Sequence, residues 1–118
     1  MLHRTIVAAM ICLLLAPAAL AHAILVDSKP ASGATVPAGT VDMTFRYNSR
    51  IDRERSRLTL IGPDHSEVIL SLTPVGEPNI LEADPIVTTP GAYVVRWQVL
   101  AVDGHITRGD VPFTVSGH

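Results

Sequence analysis

The chain has 118 residues, 17% of them charged, with a formal net charge of −2. That length allows one domain with a modest core. The low, mixed charge excludes the concentrated basic field that nucleic acid or an anionic membrane surface attracts. Lys29 is the single lysine, and the cluster Arg50, Arg53, Arg55 and Arg57 is interleaved with Asp52 and Glu54, which predicts a solvated loop or strand face.

The chain opens with the three parts of a secretory signal. Arg4 stands near the start, an uncharged apolar run follows from Ile6 to Ala16, and Pro17 precedes the small-residue triplet Ala19-Leu20-Ala21. The run is short of the roughly 20 residues of a membrane-spanning helix, the alternative being an N-terminal anchor helix. Residues 1–21 are therefore expected to be removed, leaving 22–118 as one domain. A second triplet, Ala21-His22-Ala23, would move the cut and start the protein at Ile24. Cys12 lies inside the apolar run and is the only cysteine, so the mature chain has neither thiol nor disulfide. Ile11 before it is not the small residue a lipoprotein acylation site carries there. The leader implies secretion, with no direct membrane insertion after cleavage.

Seven short strands follow in order. Ile24-Leu25-Val26 is stopped by Pro30. Turn-rich segments around Gly33 and Gly39 lead to Val41, Met43, Phe45 and Tyr47, which alternate with Asp42, Thr44 and Arg46 at period two. Arg57–Ile61 is ended by Gly62-Pro63-Asp64, and Glu67–Leu70 lies at hairpin distance. Ile80-Leu81 is brief. Thr88-Thr89-Pro90-Gly91 predicts a type II turn. It precedes the strongest strand, Ala92–Val99, with Tyr93, Val95, Trp97 and Val99 on one face as core. The last strand carries Val111, Phe113 and Val115. No stretch keeps a helical period, so the predicted fold is all-β, a small Greek-key sandwich or barrel of about seven strands.

Two histidines have chemical context. If the leader is cut after Ala21, His22 becomes the first residue and offers a metal both its α-amine and its imidazole. Asp103-Gly104-His105 places a carboxylate and an imidazole about a glycine that permits a sharp turn; the same three residues also suit an ordinary turn between strands. Three nitrogens and one oxygen from His22, Asp103 and His105 suit tetragonal Cu(II) better than tetrahedral zinc. The free amine has an ordinary pKa of about 7.7–8, so copper must displace a proton there, and binding should weaken as pH falls. His65 reads as solvated, and His118, the final residue, as an optional auxiliary ligand. Met43 occupies a core position, so the mature chain has no thioether cluster for Cu(I). No catalytic acid/base pair, nucleophile elbow, phosphate loop or dinucleotide motif is present.

These residues resemble the CopC family of periplasmic copper-binding proteins, associated with copper resistance and uptake. The resemblance spans nearly all of the mature chain. It rests on His22-Ala23, Ser28-Lys29-Pro30-Ala31-Ser32-Gly33, Val41-Asp42-Met43-Thr44-Phe45, Pro90-Gly91-Ala92-Tyr93-Val94-Val95-Arg96-Trp97, Val102-Asp103-Gly104-His105 and Phe113-Thr114-Val115. It implies a cupredoxin-like or immunoglobulin-like β-sandwich and a Cu(II) site from the His22 amine and imidazole, Asp103 and His105. Some members add a Cu(I) site in a methionine-rich loop; the corresponding stretch here, Leu72 to Asp84, has no methionine, which implies a Cu(II)-only member. A membrane copper transporter of the CopD type is the implied partner.

Three functions are compatible with these residues. The first is a periplasmic Cu(II) carrier or buffer, not an enzyme. The second is a metal-independent β-sandwich module that binds protein partners. The third is a copper enzyme with a histidine brace that cleaves polysaccharides oxidatively, which needs an open coordination position and exposed aromatics.

Overall fold

A computed structural model describes residues 23–117. The leader, His22 and His118 lie outside the described residues. The described residues form ten strands: β1 (Leu25–Lys29), β2 (Thr35–Pro37), β3 (Gly39–Thr40), β4 (Met43–Tyr47), β5 (Arg57–Ile61), β6 (Glu67–Ile69), β7 (Ile80–Ala83), β8 (Ile86–Val87), β9 (Gly91–Leu100) and β10 (Ile106–Ser116). The seven expected strands are all among them, and β2, β3 and β8 are additions of two or three residues. A 3-10 turn, Arg53–Arg55, precedes β5.

The strands form a three-stranded sheet in the order β1-β4-β7, a five-stranded sheet in the order β2-β10-β9-β5-β6, and the small pair β3-β8. Spatial neighbours are mostly not sequential, the wiring expected of a Greek-key sandwich. Period-two alternation decides what lies between the sheets. Met43, Phe45 and Tyr47 from β4 meet Tyr93, Val95, Trp97 and Val99 from β9 and Val111, Phe113 and Val115 from β10 in one buried core. Tyr47 and Trp97 touch edge to face across the two sheets, with ring centroids 5.4 Å apart.

Trp97 also explains why β10 is longer than its sequence indicates. The strand begins at Ile106 rather than near Val111, and Gly109 pairs with Trp97 in the ladder. A Cβ on Gly109 would sit 2.5 Å from the indole. Glycine, ordinarily a weak strand residue, is here what lets the largest side chain of the core lie flat. At the other end of β9, Gly91 has φ 141 and packs on Pro63, so it opens the strand instead of taking the type II position. Tyr93 secures this loop by donating to the Thr89 carbonyl at 2.6 Å.

Arg50, Arg55 and Arg57 are exposed, as expected of a solvated cluster, whereas Arg53 is half-buried. Arg53 donates to the carbonyls of Glu77 (2.9 Å) and Ile80 (2.8 Å), tying the loop before β7 to the 3-10 turn. Asp52 N–H donates to the Leu100 carbonyl at 2.8 Å and Leu100 N–H to Ser56 Oγ at 3.1 Å. These bonds fix the end of β9 from which the Asp103 turn departs. No helix among the described residues is long and apolar enough to cross a membrane.

Candidate metal centre

β9 and β10 are joined by residues 101–105. Ala101 N–H donates to the His105 carbonyl (2.8 Å) and Gly104 N–H to the Ala101 carbonyl (2.9 Å). Gly104 has φ 93, the left-handed region that L side chains avoid, so glycine is the residue that lets the chain reverse here. Asp103 uses its carboxylate twice. Oδ1 accepts from His105 N–H at 3.1 Å, and Oδ2 lies 3.2 Å from His105 Nδ1. The turn is thus both a strand connection and a convergence of one carboxylate with one imidazole.

The pair suits a metal. Neighbouring ligands about 2 Å from one ion lie about 3 Å apart, close to the observed oxygen–nitrogen separation. With Nδ1 protonated, the same contact orients the ring and leaves Nε2 for the ion, as a carboxylate behind a ligating histidine does. His105 and Asp103 are both accessible, with side chains 53% and 34% exposed, so an ion can enter.

Among the described residues no group of three or more His, Cys, Asp or Glu could hold a metal, and the described part of the candidate site is the pair Asp103 and His105. The third sequence-derived residue, His22, lies outside the described residues, but its neighbour is firmly placed. Ala23 is 1% exposed, and its carbonyl accepts from Thr107 Oγ1 at 2.8 Å, two residues beyond His105. Asn48 holds the next residue from the other sheet: Ile24 N–H donates to Asn48 Oδ1 (2.7 Å) and Asn48 N–H to the Ile24 carbonyl (3.0 Å). Leu25 then enters β1 opposite Tyr47. Thr107 and Asn48 thus bring Ala23 and Ile24 to the end of the sandwich that carries the turn. Sequence reasoning missed both, because an isolated threonine and an isolated asparagine have no local pattern.

His65 is not part of this centre. It lies in the β5–β6 turn with φ 67, where Ile61 pairs with Val94, near the opposite end of β9 from Leu100. The strand before His118 ends at Ser116, the far end of β10 from His105.

A β-sandwich whose open end carries a histidine–carboxylate pair beside its first strand is the class these observations define. The CopC domain profile matches residues 25–116. The chain belongs to the CopC family, which gives it a copper-related function. It is 30% identical over 107 residues to protein YobA of Escherichia coli, covering 86% of this chain and 85% of that one. The structure of CopC from Methylosinus trichosporium matches with a TM-score of 0.74 at 28% identity, covering 80% of this chain and 94% of that one. PcoC, a methionine-rich copper resistance protein from Escherichia coli, shares the fold, with a TM-score of 0.64 at 24% identity over 81% of this chain and 100% of that one.

Proposed function

We propose that this chain is an exported Cu(II) carrier or buffer in copper homeostasis or resistance, and not an enzyme. Its site combines the α-amine and imidazole of His22, exposed by removal of residues 1–21, with Asp103 and His105. The observation that carries this is the Thr107–Ala23 hydrogen bond of 2.8 Å, which holds the residue after His22 beside the Asp103–His105 turn. Before cleavage the His22 nitrogen is an amide and a poor ligand, so export and metal loading are coupled. In the mature protein, copper is cargo: the amine and imidazole of His22 chelate it, and the accessible turn completes the set and leaves it open to a recipient.

Cu(II) is favoured over Cu(I) by the donors. The single methionine among the described residues, Met43, is 2% exposed in the core, and soft thioether ligation needs an accessible sulfur. The carrier is favoured over the histidine-brace enzyme by the aromatics. Phe45, Tyr47, Tyr93, Trp97 and Phe113 are all buried and offer no stacking face for a polysaccharide. The periplasm is the proposed compartment, and a membrane copper transporter of the CopD type the proposed recipient or donor.

The test is the mass of the exported protein together with its copper stoichiometry. A first residue of His22 and uptake of one Cu(II) per chain, lost on chelation without unfolding, is the expected result. A first residue of Ile24, or a His22 form that takes up no copper, overturns the proposal.

A further inference from the structure

The outer face of the five-stranded sheet carries a row of charge that the copper centre does not use. Next to the turn, β10, β9 and β5 place Arg108, Gln98 and Arg57 side by side in register. Arg108 Nε donates to Gln98 Oε1 at 2.7 Å, which fixes that guanidinium and leaves its outer edge available. No carboxylate among the described residues pairs with Arg57 or Arg108. One row further from the turn the situation is reversed: Arg96 is bound by Asp110 at 3.0 Å, with Glu67 at 4.0 Å. Arg57, Arg96, Arg108, Gln98 and Thr59 line an open groove of about 520 Å3. Charge in the groove is therefore compensated at its far side and uncompensated at the side nearest the turn.

That uncompensated row adjoins an apolar fringe. Ile106 lies two residues before Arg108 on β10, and Val102 precedes Asp103 in the turn; both are more than half exposed. Apolar residues beside arginines, with few lysines, are the composition of a protein–protein contact rather than of an ordinary solvated face. With strands about 4.8 Å apart, the backbones of Arg57 and Arg108 stand about 10 Å apart, a spacing suited to successive carboxylates of a chain.

We propose that this face docks an acidic segment of the protein that exchanges copper with this one. Arg57 and Arg108 take carboxylates of the partner, Gln98 positions Arg108, and Val102 and Ile106 pack against the partner beside the metal. The exchange role rests on the proposed copper function; the docking itself does not.

The test uses the side-chain Nε–Hε NMR signals of the arginines, titrated with a hexaglutamate peptide, a hexalysine peptide and inorganic phosphate. Hexaglutamate should shift Arg57 and Arg108 first and bind at least about fivefold more tightly than phosphate, with the preference reduced by salt. The Arg57→Gln/Arg108→Gln variant should lose about fivefold in affinity while keeping the backbone spectrum, and the double lysine variant should recover only part, since the planar fork is lost. Equal affinity of phosphate and hexaglutamate, or an unchanged response in the glutamine variant, overturns the proposal. The Cu(II)-loaded protein is then mixed with acceptor peptides beginning Gly-Gly-His and ending in glutamates or in serines. Faster transfer to the glutamate acceptor, abolished in the glutamine variant, supports docking for exchange. Normal copper uptake with no preference between acceptors overturns docking for exchange and leaves the carrier function intact, whereas hexaglutamate binding by a protein that takes up no copper overturns the carrier function and leaves the docking face intact.

Discussion

The five-stranded sheet bears two turns that contain an aspartate and a histidine, and only one has the makings of a metal centre. In the β5–β6 turn, Asp64 Oδ1 accepts from Ser66 Oγ at 2.7 Å and from Ser66 N–H at 3.1 Å. The histidine itself occupies the left-handed position, with φ 67. In the β9–β10 turn a glycine takes that position, at φ 93, and the carboxylate is directed to the histidine's backbone and ring. The glycine between Asp103 and His105 separates the two cases: it bears the backbone reversal, so the histidine does not have to. The second difference lies outside the turn, since Thr107 and Asn48 bring Ala23 and Ile24 to one end of the sandwich only.

The largest expected contrast is in copper affinity. Replacing His105 by Ala should weaken Cu(II) binding by about 100-fold or more, because a ligand is removed and not merely its support. His65→Ala should change it by less than about twofold. Competition titration against a chelator of known affinity measures both, and comparable losses would erase the distinction between the turns.

Moving the glycine tests the backbone half of the comparison. At Gly104 a Cβ meets nothing within 4 Å, so Gly104→Ala isolates the cost of the positive φ. It should destabilise the protein by about 1–2 kcal/mol and weaken copper binding several-fold, while Gly104→Asn should lose less. Urea unfolding followed by the Trp97 fluorescence reports the first and the competition titration the second.

The tether is next. Thr107→Val keeps shape and removes the donor to Ala23, which should cost about 1 kcal/mol in stability and a comparable factor, about fivefold, in Cu(II) affinity. A variant with unchanged affinity would show that Ala23 reaches the turn without this bond. Amide exchange at Ile24, expected to quicken, provides an independent readout.

The smallest effect belongs to Asp64. The hydrogen bonds from Ser66 hold its carboxyl below the ordinary 3.8. A depressed carboxyl contributes stability that is fully present above that ordinary value and is lost as pH falls through the lower folded one. The stability difference between the wild type and Asp64→Asn should therefore be small at neutral pH and shrink below pH 3.8, with copper binding untouched. Thermal unfolding across that range measures it.

Much of this was legible in the chain. Met43, Phe45 and Tyr47, and Tyr93 through Val99, alternate clearly because each strand has one face on the core and one on solvent. The convergence of Asp103 and His105 was legible for the same local reason, a glycine between two donors. What escaped depends on partners distant in sequence. β2, β3 and β8 have two or three residues each and exist only through their pairing. The first half of β10 was hidden by Gly109, a residue that argues against a strand until Trp97 is seen lying on it. Arg53 looked solvated because its carbonyl partners, Glu77 and Ile80, are 24 and 27 residues away. Thr107 escaped in the same way, its bond to Ala23 spanning 84 residues.

The most direct test of the central claim compares two proteins that differ by one residue at the start. One begins at His22; the other carries a single serine ahead of it, so that the histidine nitrogen is an amide. Cu(II) titration and the EPR spectrum of the one-to-one complexes are recorded for both. A tetragonal signal with nitrogen splittings is expected for the first, and for the second an affinity lower by about 100-fold with altered splittings, because the amine is no longer available as a ligand. Equal affinities and identical spectra would contradict this, and would place copper binding, if any, away from the cleaved terminus.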